Sequence, residues 1–311
     1  MMIKKGISLA CRMDSERAIN LTKKLFDYLV KKDEIVHLET RIAPKIMPHN
    51  AMDLGDMTAE NTKFIITTGG DGTVLRVASN LSQKDPPPIL GVNIGSIGFL
   101  DESNERTIFK DINQILNGNY VIEKCSKLTA YILRDSEEIR LNNALNEILI
   151  ISSKNSKVLL VSVKIDGTYL NRSYLDGVII STSVGSTAYN LSAGGSIITP
   201  SLEIMQLTPL NSYARSGLKP IVLPIDSEIE LKLLRSRLNA RIIIDGQRTY
   251  KKIQPNTIIK IRKANVYSSF IRLSRNVTDS YIKRLRKKII GTIRVPLDDS
   301  PESGEEFNSN F

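Results

Sequence analysis

Apolar positions along this chain change their spacing region by region. Residues 4–12 read as a strand, and Ala18, Leu21, Leu25 and Leu29 then recur at helical spacing. Asp14-Ser15 stands just ahead of that helix as a cap. Phe64-Ile65-Ile66 is a short β-rich run, after which Val74, Leu75, Val77, Ala78 and Leu81 return to helical spacing. A further strand is expected at 89–94 and a helix at about 103–117, stopped by Gly118. Strands and helices in alternation predict a three-layer α/β domain with a largely parallel sheet over 1–120.

Beyond 120 the period shortens to that of strands. "VIEKCSKLTAYIL", "EILIISS", "KVLLVSVKIDGTYL", "DGVIISTS", "IELKLL", "ARIIIDGQRTY" and "TIIKIRK" follow one another. Asp166-Gly167 and Asp245-Gly246 each sit between β-rich arms, a strong hairpin signal. Residues 121–274 are therefore read as a mainly antiparallel β domain. A helix over 275–290 is expected to return to the first domain, with Ile282, Leu285 and Ile289 inward and its Lys and Arg residues solvated. The acidic stretch 291–311 has too few apolar residues for a core and is expected to be disordered.

Composition narrows the class. The chain has 311 residues, 41% hydrophobic and 24% charged, as ordinary globular proteins do. Cys11 and Cys125 have neither metal-ligand nor disulfide-framework spacing and read as core residues in a reducing cytoplasm. The apolar run near the N-terminus is interrupted by Arg12 and reads as a strand rather than a signal, and no stretch is long enough to span a bilayer. A net charge of +10 suits a polyanionic partner. With aromatics at 5% and no recognition motif, a phosphorylated ligand is favoured over nucleic acid.

Two histidines, His37 and His49, lie outside any motif, which argues against a Ser-His-Asp hydrolase or a histidine-rich metal site. The signatures G-x-x-x-x-G-K-[ST] and G-x-G-x-x-G are absent. What remains is "TTGGDGTVLRVASN", a strand-to-helix turn with Gly69, Gly70 and Gly72 around Asp71. Bare backbone at a helix N-terminus favours phosphate. An aspartate there repels phosphate unless it accepts a proton from an attacking hydroxyl or helps hold a divalent metal. Thr73 adds a hydroxyl; the alternative is a plain turn with Asp71 as a helix cap. Asn146-Glu147 opens a strand with an amide and a carboxylate suited to ribose and base edges, or simply with turn chemistry. Leu175 to Pro200 is rich in glycine and small hydroxyl residues, a ligand-wrapping surface or a loop. "GVNIGSIGFL", Gly91 to Leu100, spaces its glycines for close packing or a second phosphate-facing turn.

Gly69-Gly70-Asp71-Gly72-Thr73, Asn146-Glu147 and "DGVIISTSVGSTAYNLSAGG", in this order, resemble the NAD kinase family. The first element alone is shared with lipid kinases and phosphofructokinases; the long segment is more specific. The resemblance implies phosphoryl transfer from ATP or polyphosphate to the 2′-hydroxyl of the adenosine ribose of NAD, giving NADP, with a divalent cation such as magnesium. It implies Asp71 as proton acceptor, Gly72 beside it and Arg76 toward phosphate. Asn146, Glu147 and Asp176 would hold the dinucleotide, with Thr187, Ala188, Tyr189, Asn190, Leu191 and Ser192 around base and ribose. Lys157, Asn211 and Gln247 are carried over by spacing from these anchors. No residue is assigned as a metal ligand. The family's site is completed by a neighbouring subunit, so a homo-oligomer is implied. Tyr174, placed in the nucleotide-binding set, stands where many members have arginine; Ser183-Val184 stands for Pro-Thr and Ser196 for a common proline. The competing readings are a related kinase acting on a lipid or sugar, a non-catalytic nucleotide sensor and a basic nucleic-acid-binding protein.

Overall fold

The computed structural model describes residues 5–290 apart from 83, 96–97, 135–136, 155–156, 214–216 and 235–237. The expected tail, 291–311, lies outside the described residues. In chain order the first region holds β1 (Gly6–Cys11), α1 (Glu16–Val30), β2 (Val36–Glu39), α2 (Ala43–Ile46), β3 (Ala51–Met52) and β4 (Thr62–Gly69). It continues with α3 (Asp71–Asn80), β5 (Ile89–Asn93), β6 (Asp101–Asn104), α4 (Ile108–Leu116) and β7 (Val121–Cys125). Next come β8 (Leu128–Arg134), β9 (Glu137–Ala144), β10 (Glu147–Ser152), β11 (Leu159–Ile165), β12 (Thr168–Leu175) and β13 (Gly177–Thr182). A short helix α5 (Tyr189–Ser192) precedes β14 (Ile204–Leu210), β15 (Ile221–Pro224), β16 (Ile229–Leu233) and β17 (Ala240–Ile244). The chain ends in β18 (Arg248–Ile253), β19 (Ile258–Lys263), β20 (Ser268–Arg272) and α6 (Val277–Leu285).

The first sheet runs β3-β2-β1-β4-β5-β20-β7, with β6 beside β5. Its pairs are parallel except β20 with β7. Side chains alternate across it. Phe64 and Ile66 of β4 pack with Leu21, Leu25 and Leu29 of α1 and with Ile108, Ile112 and Ile115 of α4. Ile65 turns the other way, onto Val74, Val77 and Ala78 of α3. Burial on both faces explains the continuous apolar run of β4, and the three layers are as expected. Ser15 caps α1, its Oγ accepting from Ala18 N at 3.3 Å.

The second region is two six-stranded antiparallel sheets, β15-β14-β13-β10-β17-β18 and β12-β11-β16-β19-β8-β9. They face each other over an aliphatic core that includes Ile148, Ile150, Val161, Ile180, Leu231 and Ile259. Both Asp-Gly pairs are hairpin turns, with φ 49° and 79° at Asp166-Gly167 and 51° and 64° at Asp245-Gly246. Cys11 and Cys125 are free and buried, and burial pushes their thiols up to about 11 and about 12.

Four expectations are corrected. The helix expected from 103 begins at Ile108, because Asp101–Asn104 is claimed by β5 as a neighbouring strand. "VIEKCSKLTAYIL" is two strands: β7 stays in the first sheet and β8 opens the second region. Although read within 121–274, β7 and β20 hydrogen-bond in the first sheet, so the chain leaves it after Cys125 and returns at Ser268. The helix 275–290 does return to the first region, with Tyr281 buried and Arg284, Leu285 and Ile289 half-buried, but Ile282 is 51% exposed. Its apolar stripe yields to Arg284 and Lys288, which meet carboxylates there.

That return is held by buried charge. The guanidinium of Arg272 donates to Glu123 at 2.7 Å and to Glu102 at 3.3 Å, and Arg284 reaches Glu102 at 2.9 Å. Arg272 is only 5% exposed in its side chain, so truncation strands Glu123 away from water and leaves Arg284 as the remaining cation on Glu102. Arg272→Ala is predicted to lower unfolding free energy by ~3–5 kcal/mol, the usual cost of breaking a buried pair. Denaturant titration checks it, and a change under ~1 kcal/mol would contradict it.

Candidate active site

Strand β4 delivers Gly69 and Gly70 to the N-terminus of α3, where Asp71 is the first helical residue. None of the three glycines of this turn needs positive φ. A Cβ on Gly69 would strike the Thr73 side chain, whereas Gly70 and Gly72 face open space. The turn is bare so that other atoms can approach it.

Asp71 is held from outside its own helix. Its Oδ2 accepts from Phe99 N at 3.0 Å and from Lys288 Nζ at 2.8 Å, and its Oδ1 from Leu100 N at 3.0 Å. Those amides lie in the glycine run after β5. A Cβ at Gly98 would collide with both Asp71 and Asp101, so this run serves close packing around a carboxylate. Asp101 is 5% exposed; it accepts from Asn93 Nδ2 at 2.8 Å, and its Oδ1 has no partner among the described residues. Burial, with the charge of Asp71 added to it, pushes Asp101 up to about 6 against the Asn93 bond. A cleft of about 320 Å³ opens beside the turn, lined by Asp71, Gly72, Thr73, Arg12, Arg76 and Gln247 among others. Gln247, on the β17–β18 hairpin, thus reaches the first region's glycine turn. Arg76 lies in the cleft wall, where its guanidinium forks onto the buried Glu39 at 2.5 and 2.7 Å.

The second cluster is built around a residue noted in the sequence only as a turn signal. Asp245 accepts from the N–H groups of Leu145, Asn146 and Glu147 at 2.8, 2.7 and 3.1 Å. This carboxylate fixes the bend that presents Asn146 and Glu147. Burial raises the Asp245 carboxyl, opposed by those three N–H groups and by Lys127. Lys127 is 3% exposed, is pushed down to about 8 by burial, and donates to Ala78 O at the end of α3 at 3.2 Å. Helix C-termini favour such a cation.

The small-residue segment closes on the same bend. A Cβ at Gly185 would strike the Asn146 backbone, and Thr182 donates to Leu145 O at 2.6 Å. Glu147 is 7% exposed, with Oε2 lacking a partner among the described residues. Burial and the charge of Asp245 push it up to about 8, against an N–H bond from Tyr189. A neutral carboxyl at pH 7 donates one hydrogen bond and accepts others.

The remaining sequence-predicted residues divide. Thr187, Ala188 and Leu191 are half-buried, and Tyr189 and Ser192 are exposed, with the Tyr189 N–H bonded to Glu147. Asn190 is fully buried: its Oδ1 accepts from Thr208 and its Nδ2 reaches Ser186 O, so it supports the segment from beneath instead of facing a ligand. Asp176 is exposed and accepts from Asn211 Nδ2 at 2.8 Å; Tyr174, 47% exposed, lies two residues away on β12. Lys157 is exposed just before β11. Sequence reasoning missed Gly98, Asp101, Lys127, Asp245 as a support and Lys288. For Gly98 and Asp101 the flagged glycine run was a usable signal.

The chain matches the ATP-NAD kinase N-terminal domain over residues 7–120 and the ATP-NAD kinase C-terminal domain over 145–273. It is 34% identical over 280 residues to an NAD kinase of Thermococcus gammatolerans, covering 90% of this chain and 98% of that one. It is 30% identical over 287 residues to an NAD kinase of Natranaerobius thermophilus, covering 92% and 98%. Among solved structures it resembles an NAD kinase from Archaeoglobus fulgidus in complex with ATP, at TM-score 0.70 and 26% identity, covering 90% of this chain and 98% of that one. It shares its fold with yeast NADH kinase, at TM-score 0.81 and 20% identity, covering 97% and 90%.

The raised carboxyl of Glu147 carries a sign. The folded protein holds this proton above the ordinary value of 4.5, so the group's contribution to stability is present at low pH and lost as pH rises toward about 8. Glu147→Gln keeps the side chain neutral. Unfolding free energies measured from pH 4.5 to 8.5 should therefore move in favour of the variant as pH rises. A difference between the two proteins that stays constant with pH would contradict the assignment.

Proposed function

The chain belongs to the ATP-NAD kinase family, and from that premise we propose that it transfers the terminal phosphoryl group of ATP to the 2′-hydroxyl of the adenosine ribose of NAD, giving NADP. The observation that carries the reading is one carboxylate at a glycine turn, Asp71, in a cleft also lined by Gln247 of the hairpin whose Asp245 builds the amide–carboxylate bend at Asn146-Glu147. In this reading the ribose hydroxyl gives its proton to Asp71 while its oxygen bonds to the terminal phosphorus and the bond to the leaving diphosphate breaks. Such a transfer needs positioning and charge neutralisation more than a strong base. Asn146 and Glu147 hold the ribose hydroxyls, with Tyr189 offering an exposed ring. Asp176 and Asn211, hydrogen-bonded to each other, form the outer rim of the NAD site. Gly70 and Gly72 admit phosphate oxygens close to backbone N–H groups, with Thr73 and Gln247 beside them.

A divalent cation, magnesium by preference, fits the carboxylates flanking Gly98. Asp101 offers a buried oxygen without a partner among the described residues, and both oxygens are hard donors. Among the described residues no three or more His, Cys, Asp or Glu gather as a cage, which suits an ion held by one or two carboxylates and shared with substrate phosphates. When bound it supplies charge neutralisation on the donor phosphates. Polyphosphate is a second donor of the same chemistry. The enzyme works as a homo-oligomer: the edge strand β12 exposes Tyr169 and Tyr174, and Tyr213 beside it is 78% exposed, an aromatic face suited to a second copy. Its working place is the cytoplasm, consistent with two free buried thiols. No helix among the described residues is long and apolar enough to cross a membrane.

The test is NADP formation by the purified chain given NAD and magnesium, with ATP and polyphosphate supplied separately. Asp71→Asn should lower turnover by roughly 10²–10⁴-fold with NAD affinity little changed. Near-wild-type turnover in that variant would remove the proton-acceptor role.

A further inference from the structure

Each cation lining the cleft at the glycine turn faces a carboxylate other than Asp71. Arg76 forks onto Glu39, Arg41 lies 3.9 Å from the same carboxylate, and Arg12 forks onto Asp14 at 2.8 and 2.9 Å. Phosphoryl transfer concentrates negative charge where the donor phosphate meets the acceptor oxygen, and a positive group must lie close to both. The side chain meeting that requirement comes from the far end of the chain.

Lys288 Nζ lies 2.8 Å from Asp71 Oδ2 and 4.7 Å from the centre of the Phe99 ring. It is carried by Arg286–Ile290, a π-helical turn that continues α6. Such wide turns recur at functional sites. The element is anchored upstream. Tyr281, 4% exposed, donates to Ile198 O at 3.2 Å and packs on Phe99 with ring centres 5.9 Å apart, while Arg284 is fixed on Glu102. These anchors join the small-residue segment of the second region to the Asp71 surround of the first. An ammonium has three donors and no acceptor, so a bond to Asp71 leaves others for phosphate oxygens. At 38% exposure the side chain reaches solvent beside Asp71, which itself lines the cleft.

We propose that Lys288 is a catalytic residue: its ammonium binds the phosphoryl group in transfer while it holds Asp71 toward the acceptor hydroxyl. This rests on the reading of Asp71 as the proton acceptor. The ribose proton goes to Asp71, the new oxygen–phosphorus bond replaces the bond to diphosphate, and Lys288 keeps its own proton throughout.

The experiment compares Lys288→Met, Lys288→Arg, Lys283→Met and Asp71→Asn in the full chain with NAD and magnesium-ATP. Lys283 lies on the same helix, 76% exposed and paired with Asp279. Lys288→Met should lower kcat by ~10²-fold, the size of losing one preorganised transition-state donor, with KM for NAD unchanged. Lys288→Arg should recover at least ~10-fold of that loss by keeping the charge, and Lys283→Met should match wild type. Wild-type kcat in Lys288→Met overturns the proposal. So does a raised kcat, which would make Lys288 a brake, or a loss that appears in KM and melting temperature and that arginine does not repair. If Asp71→Asn itself keeps wild-type turnover, the proton-acceptor reading falls separately, whatever Lys288 does.

Discussion

The site depends on a carboxylate that its own helix cannot hold. Asp71 stands at the start of α3, and its oxygens are fixed by Phe99 N, Leu100 N and Lys288 Nζ. Donors of this kind set direction as well as charge: two rigid amides leave the carboxylate little freedom to rotate. Much of the first region serves that arrangement. β5 carries the chain to the amides, Gly98 must lack a side chain for them to approach, and β6 places Asp101 against the same glycine. The return of β20 and α6 then closes the far side through Arg272, Arg284 and Glu102.

The second region repeats the device with the charges reversed in role. There one carboxylate, Glu147, is left short of partners, and a second, Asp245, takes three backbone N–H groups. Two acids in one buried pocket cannot both ionise cheaply. The acid with three donors keeps a local reason to be charged, and Glu147 is pushed up to about 8. Lys127 links this pocket to the end of α3, and an apolar seam that includes Leu145, Val74 and Ala78 joins the same two elements.

The parts legible in the sequence were those written locally. Helical and strand periods located β4, α3 and the hairpins because one face or both faces of each are buried, and Ser15 capped α1 as its position suggested. The glycine turn and Asn146-Glu147 were legible because their chemistry lies in adjacent residues. What could not be read were contacts between distant residues. Asp245 looks like any hairpin aspartate until it meets amides about 100 residues earlier, and Lys288 meets Asp71 across 217 residues. The periodicity of α6 was misleading for a physical reason: its anchors are a buried tyrosine and ion-paired cations, so Ile282 is the residue left in water. Arg76, carried toward phosphate by the resemblance, lines the cleft with its guanidinium on the buried Glu39 of β2, a pairing between distant residues that the sequence did not show.

On the proposed reading, NAD binds at the Asn146-Glu147 bend and receives a phosphoryl group at Asp71. The most direct test of that reading is a single-turnover experiment with excess enzyme, magnesium and ATP labelled in its terminal phosphate, quenched and resolved for labelled products. The label is expected on NADP, at the 2′ position, only when NAD is present. Label released solely as inorganic phosphate while NAD is demonstrably bound would contradict it.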